Sequence, residues 1–392
     1  MRRKLLTLIS VVALIFYLGL NFLPDRFTVN MPLGFLSLSA KHEVDRIKAF
    51  ALPAGFHVTV FARELNRVRF MRVTEQGDLV ATLPKSGQVI LLKADRNGDG
   101  VSDGRKVLLQ DLDLPHGIDI FNGWLYIAET SAVGRIQFNA DTGQVIGDYQ
   151  RIVKDLPDGG NHWTRTLRFG PDGLMYVSIG SSCNVCIEDD QRRAAVLRFN
   201  PDGSEPGLFA TGLRNSVGFD WSPVDGGLYA TENGRDLLGD NYPPDELNRL
   251  VKNGFYGWPF AHGSRRPDPD YGLSREQEIE SSIAPVHEFR AHNAPLGIKF
   301  LRNEGLPEKY KYSALVALHG SWNRTKKDGY KVVSIHQTVD GKFEEIDFMT
   351  GFEKNEQVIG RPVAIEESEK GEIYVSDDFA STIYRIIYNK PN

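Results

Sequence analysis

Six times along the chain an apolar couplet followed by small or polar residues returns. The copies are Leu79-Val80-Ala81-Thr82, Leu125-Tyr126-Ile127-Ala128, Met175-Tyr176-Val177-Ser178, Leu228-Tyr229-Ala230-Thr231, Leu315-Val316-Ala317-Leu318 and Ile373-Tyr374-Val375-Ser376. Their second residues lie 46, 50, 53, 87 and 58 positions apart. A period of roughly 40–50 residues, made of short strands and glycine turns, is the pattern of a β-propeller blade. Six copies predict an all-β, six-bladed propeller that gathers one loop from every blade at the mouth of a central channel. The run 56–61 (Phe-His-Val-Thr-Val-Phe) is expected to close the ring with the last unit, since an open propeller leaves strand edges unpaired.

Each unit follows one grammar: an inner strand, a turn, the couplet strand, then a third strand. In unit three Thr166-Leu167-Arg168-Phe169 is followed by Gly170-Pro171-Asp172-Gly173, then by Met175–Ile179 and Ala195–Phe199. Pro presets φ and Gly accepts positive φ, so Pro-Asp-Gly between alternating runs is a turn. No stretch of the body keeps a 3.6-residue period, so no large helix is expected there. The 87-residue gap after Tyr229 is an insertion, read as a loop that carries function or covers a site.

The chain of 392 residues divides into an N-terminal signal or anchor segment (1–27), a linker (28–49) and one propeller domain (50–392). Arg2-Arg3-Lys4 precedes an uncharged stretch from Leu5 to Leu23, long enough to span a hydrocarbon core. Its flanking charges predict a helix anchored in the inner membrane with the domain exported to the periplasmic side. A cleaved signal peptide is the rival reading. The formal charge is −5 and no Lys/Arg stripe exists, which argues against nucleic acid as a partner. Membrane contact is expected only through the N-terminal segment. The two cysteines form Cys183-Asn184-Val185-Cys186. Ile187 follows where haem attachment would need His, and the expected outcome is a structural disulfide, with free thiols or redox chemistry as alternatives.

The loops entering the inner strands carry Asn66, Arg67 and Arg69, then Pro115-His116-Gly117, Asn161-His162-Trp163, Arg214-Asn215, His292-Asn293 and Gly360-Arg361-Pro362. Arg, Asn and His at one structural level suit an anionic ligand with several carboxylates, because Arg pairs with carboxylate bidentately. A neutral His beside such a ligand is a general base.

Gly160-Asn161-His162-Trp163 running into Leu167–Gly173, Gly212-Leu213-Arg214-Asn215, and Asn253-Gly254-Phe255-Tyr256-Gly257-Trp258-Pro259 carry a resemblance. Over about residues 50–390 the chain resembles the soluble quinoprotein glucose and sorbosone dehydrogenases, exported propellers that use pyrroloquinoline quinone (PQQ). The Ser182–Cys186 loop is similar to the sorbosone branch. The resemblance implies oxidation of a sugar, or a related alcohol or aldehyde, with electrons passed to a separate acceptor. It implies His162 as general base and Arg214, Asn215, Arg361 and, in place of a family lysine, Arg324 as cofactor contacts. His116, Asn161 and Trp163 then fall to the substrate; glucose-type members carry Asp where Asn161 stands and Gln where His116 stands. It further implies Ca²⁺ held by Glu246, the carbonyls of Gly234 and Arg235, and the backbone of Tyr256.

A second Ca²⁺ candidate stands apart from the resemblance. Asp95-Arg96-Asn97-Gly98-Asp99-Gly100-Val101-Ser102-Asp103 matches the first nine positions of a calcium loop, with Asp95, Asn97, Asp99, Val101 and Asp103 as ligands. Lys106 replaces the final Glu, and an Asp/Asn-rich turn is the alternative. Two other functions compete with the quinoprotein reading. A calcium-dependent lactonase needs carboxylates on the axis where Arg and His stand here. A non-catalytic propeller binding a glycan or protein has no need of His162 and Arg214 at one level.

Overall fold

The computed structural model describes residues 28–31 and 46–390. The predicted anchor at 5–23 lies outside the described residues. Six antiparallel four-stranded blades follow in order. Their inner strands are Met71–Val73, Gly117–Phe121, Arg165–Phe169, Phe219–Trp221, Pro295–Phe300 and Pro362–Glu367. The repeated couplets form the second strands, all wholly or largely buried between neighbouring blades, as their apolar pattern requires. The turn expected at Gly170–Gly173 is made as read: Gly173 has φ +74°, and Asp172 Oδ1 accepts from the Leu174 amide at 3.2 Å.

Closure is also as expected. The strand Phe56–Ala62 becomes the outermost strand of blade six by pairing antiparallel with Thr382–Tyr388. The Asp95–Asp103 loop seals the seam this leaves against blade one: the Ser102 amide donates to the Phe61 carbonyl at 2.9 Å, and Arg385 Nη1 meets Asp95 Oδ2 at 2.8 Å.

The 87-residue insertion proves to be partly blade. Asp245–Leu250 and His287–Phe289 are the third and fourth strands of blade four. Between them, Gly254–Phe255 adds a fifth, parallel strand to blade three, and Glu276–Ser281 forms a short helix.

Inner strands of adjacent blades pack backbone to backbone near the axis. A Cβ on Gly218 would stand 2.1 Å from the Leu296 carbonyl of the next blade, so no side chain fits there. Two residues further along each inner strand stands a charge: Arg72, Asp119, Arg168, Asp220, Lys299 and Glu366. Signs alternate around the ring, so every charge has opposite neighbours. Arg72 Nε meets Asp119 at 2.8 Å, Arg168 meets Asp220 at 3.4 Å, and Lys299 meets Glu366 at 3.2 Å. Their side chains are 6–14% exposed, and together they close the channel at the end away from the loops.

Candidate active site

At the open end the inner-strand loops surround a cavity of about 380 Å³. Its wall includes Arg69, Asn161, His162, Trp163, Arg214, Asn215, Asp236, Asp245, His292, His319, Trp322 and Arg361. Five blades contribute, as the convergence of loops predicts.

His162 stands half-buried at the entry to blade three. Its Nδ1 lies 2.8 Å from the Ser181 carbonyl, which only accepts, so Nδ1 carries the hydrogen and Nε2 keeps its lone pair. Burial, and then the Arg214 charge, lower its pKa from 6.5 to about 3, so the ring is a neutral acceptor at ordinary pH. His319 is another of the wall's three histidines, with His162 and His292. Its Nε2 donates to Asp378 Oδ1 at 2.9 Å, while burial and Arg361 bring its pKa to about 4. Asp378 in turn pairs with Arg69 Nη1 at 2.9 Å.

The arginines differ in what they offer. All five N–H groups of Arg214 are taken: Nε by the Asn184 carbonyl, Nη1 by the carbonyls of Asn233 and Gly234, and Nη2 by Asn184 Oδ1 and Asp236 Oδ2. Arg214 therefore presents charge and the flat face of its guanidinium, not a bidentate edge, to the cavity. Arg361 binds the carbonyls of His319 and Gly320 through Nε and Nη2, leaving Nη1 without a protein partner among the described residues. Arg69 has a buried Nε with no partner among the described residues.

Several expected contacts move. His116 is 0% exposed behind the wall, its ring 5.6 Å from that of Trp163 and its Nδ1 against the Arg165 carbonyl, so it does not reach a substrate. Arg324 gives Nη1 to the carbonyls of Asp240 and Ala291, which ties it to the insertion, and it is not part of the cavity wall. Five residues before it, His319 supplies the wall; the segment His319–Arg324 had the signal, but strand direction chose the residue.

The calcium set is not assembled. Asp245 and Glu246 lie on a strand, not a loop, and successive strand residues face opposite ways. Asp245 turns to the cavity, accepting from the amides of Gly234 and Ala294, each at 2.8 Å. Glu246 turns away to the Gly263 amide and Asn248. Of the expected set only Gly234 lines the cavity, its carbonyl accepting from Arg214 at 2.8 Å, while Arg235, Glu246 and Tyr256 are not part of the wall. In the Asp95–Asp103 loop, Asn97 and Asp99 accept from backbone amides two residues on, and Arg385 takes Asp95. The amide of Val101 donates to Asp99 Oδ1 at 2.8 Å. Among the described residues the one trio of His, Cys, Asp or Glu gathered within 4.8 Å is Cys183, Cys186 and Glu188, and those cysteines are bonded to each other as a disulfide.

A six-bladed propeller with a cationic, histidine-lined pocket on its axis is the class that fold and site define. Residues 50–253 and 274–389 match the TrAA12-like family, and the chain belongs to it. The unmatched stretch falls within the insertion of blade four. An uncharacterized protein of Borreliella burgdorferi is 31% identical over 91% of this chain and 95% of its own. A protein of Hypocrea jecorina named pyrroloquinoline quinone-dependent sugar dehydrogenase is 28% identical over 68% of this chain and 72% of its own. The holo form of the pyranose dehydrogenase PQQ domain from Coprinopsis cinerea shares the fold, with a TM-score of 0.73 at 21% identity, over 86% of this chain and 96% of that one.

Proposed function

We propose that this protein is a PQQ-dependent dehydrogenase of a sugar or a related alcohol or aldehyde. The observation that carries the reading is His162: a neutral imidazole with a bare Nε2 on the same wall as three arginines. The cavity fits a planar, tricarboxylate ligand. Its volume of about 380 Å³ falls in the range of ligand pockets. Arg361 has a free Nη1 for a carboxylate, Arg69 adds a second charge, and the face of Arg214 and the ring of Trp322 suit a flat ring system. Bound there, PQQ supplies the acceptor for two electrons as hydride leaves the substrate carbon.

The chain's own part is binding and proton transfer. Nε2 of His162 takes the substrate hydroxyl proton, while the Ser181 carbonyl and hydroxyl hold the ring in orientation from behind. The residues first expected to hold Ca²⁺ do not converge, and no step is routed through a metal. A separate acceptor takes the electrons onward, and the disulfide supports an oxidising, exported location.

The experiment is addition of PQQ, with and without Ca²⁺, to purified protein, followed by calorimetry and dye reduction with a panel of aldoses. Binding together with sugar-dependent dye reduction is expected. A folded protein that binds no PQQ in either condition refutes the reading.

A further inference from the structure

The loop joining Ile179 to Ala195 in blade three reaches both His162 and Arg214. The Ser181 carbonyl holds His162 Nδ1 at 2.8 Å, and Ser181 Oγ donates to the Cys183 carbonyl at 2.7 Å. Asn184 lies inside the ring closed by Cys183 and Cys186. Its carbonyl accepts from Arg214 Nε at 2.8 Å, and its Oδ1 accepts from Arg214 Nη2 at 2.9 Å and from the Asp236 amide at 2.8 Å. Its Nδ2 donates to the Asp236 carbonyl at 3.1 Å. Asn184 thus fixes one edge of the arginine and the blade-four turn carrying the other edge's acceptors. Glu188 secures the loop from beneath by accepting from the Ser182 amide at 2.6 Å and hydroxyl at 2.8 Å.

We propose that Asn184 is the positioning residue of Arg214 and that the Cys183–Cys186 disulfide locks it there, so that the cavity is complete only in the oxidised protein. Four residues closed into a ring have few backbone conformations, and the one held here presents two Asn184 oxygens to a single guanidinium. An external dithiol donates two electrons and two protons to the Sγ–Sγ bond, leaving two thiols while it closes to its own disulfide. Asn184 is then free to leave, and Arg214 loses two of its acceptors.

Two readouts test this, and only one rests on the PQQ reading. The first is phenylglyoxal modification of the full-length protein, with Arg214 adducts followed by mass spectrometry. Reduction by dithiothreitol, Cys183→Ser with Cys186→Ser, and Asn184→Ala with the disulfide intact should each speed Arg214 modification about tenfold or more, as loss of a hydrogen bond to a charged group implies. The second is calorimetric PQQ binding, which should weaken by a similar factor in all three. Asn184→Ala and the serine pair combined should cost little more than either alone, since both act through one contact. If the serine variant does not fold, dithiothreitol on the parent and Asn184→Ala carry the test. Arg214 reacting no faster in Asn184→Ala than in the parent overturns the proposal, whatever the melting temperature. Parent protein that binds no PQQ while its Arg214 becomes reactive on reduction keeps the lock and removes the cofactor assignment.

Discussion

Arg168 of blade three and Glu366 of blade six meet across the propeller axis, Nη1 to Oε1 at 2.8 Å, although 198 residues separate them in sequence. Blades three and six face each other in a six-membered ring, so this contact spans the whole channel. Glu366 also takes Arg72 of blade one and Lys299 of blade five, which makes it the acceptor for three cations.

Glu366→Gln should therefore destabilise the protein strongly. Removing one partner of a buried ion pair costs about 3–5 kcal/mol, because the cations left behind stay buried without compensation. Urea unfolding measures this, and a loss below about 1 kcal/mol would mean the ring does not hold the axis together.

His162→Ala should lower turnover about 10²–10⁴-fold while PQQ binding persists, because the arginines remain. Since burial and Arg214 already hold the ring neutral, the parent's turnover should show no acid limb near pH 6.5. A limb centred at 6.5 that vanishes in His162→Ala would contradict the neutral-ring assignment.

The arginines should separate by position. Arg361→Ala, which removes a free donor from the wall, should weaken PQQ binding by about 1.5–3 kcal/mol. Arg324→Ala should leave that affinity near the parent's and lower the melting temperature instead, because its partners are carbonyls of the insertion and its neighbourhood. Calorimetry paired with thermal melts distinguishes the two patterns.

Asp95→Ala should lower the melting temperature by opening the seam between blades one and six, where Asp95 meets Arg385. If Arg385 is the cation this carboxylate serves, the drop is the same with calcium and with chelator. A parent melting temperature that rises with calcium, and an Asp95→Ala one that does not, restores the calcium reading of this loop.

Glu232 is buried in blade four, and burial raises its pKa from 4.5 to about 8. Between those values the folded state holds a proton that the unfolded state releases, so this group's stabilising contribution falls as pH rises from 4.5 to 8. Each such proton is worth about 1.4 kcal/mol per pH unit. Glu232→Gln does not titrate, so its stability should decline less between pH 6 and 8 than the parent's. Parallel urea unfolding curves across that range for the two proteins would show that Glu232 is already ionised.

The repeat of couplets determined blade number and strand order within each blade, because burial between blades imposes an apolar second strand every time, and the unpaired edges of an open ring gave 56–61 its closing role. Local chemistry equally determined the Pro-Asp-Gly turn; for Cys183 and Cys186, three residues apart, it left disulfide and free thiols open, and the fold pairs them. Tertiary structure decided what each polar loop residue does. His116 and His162 stand at similar points in their blades, yet one lies behind Trp163 and the other faces the cavity, since a difference of a few residues in strand entry swings a side chain from wall to core. Asp245 and Glu246 are neighbours in sequence, yet the strand's two-residue period sends them to opposite faces. The alternating charges of the inner strands are visible one by one in the sequence. That Arg168 reaches Glu366 is not, because the contact exists only once six separate segments have closed around a common axis.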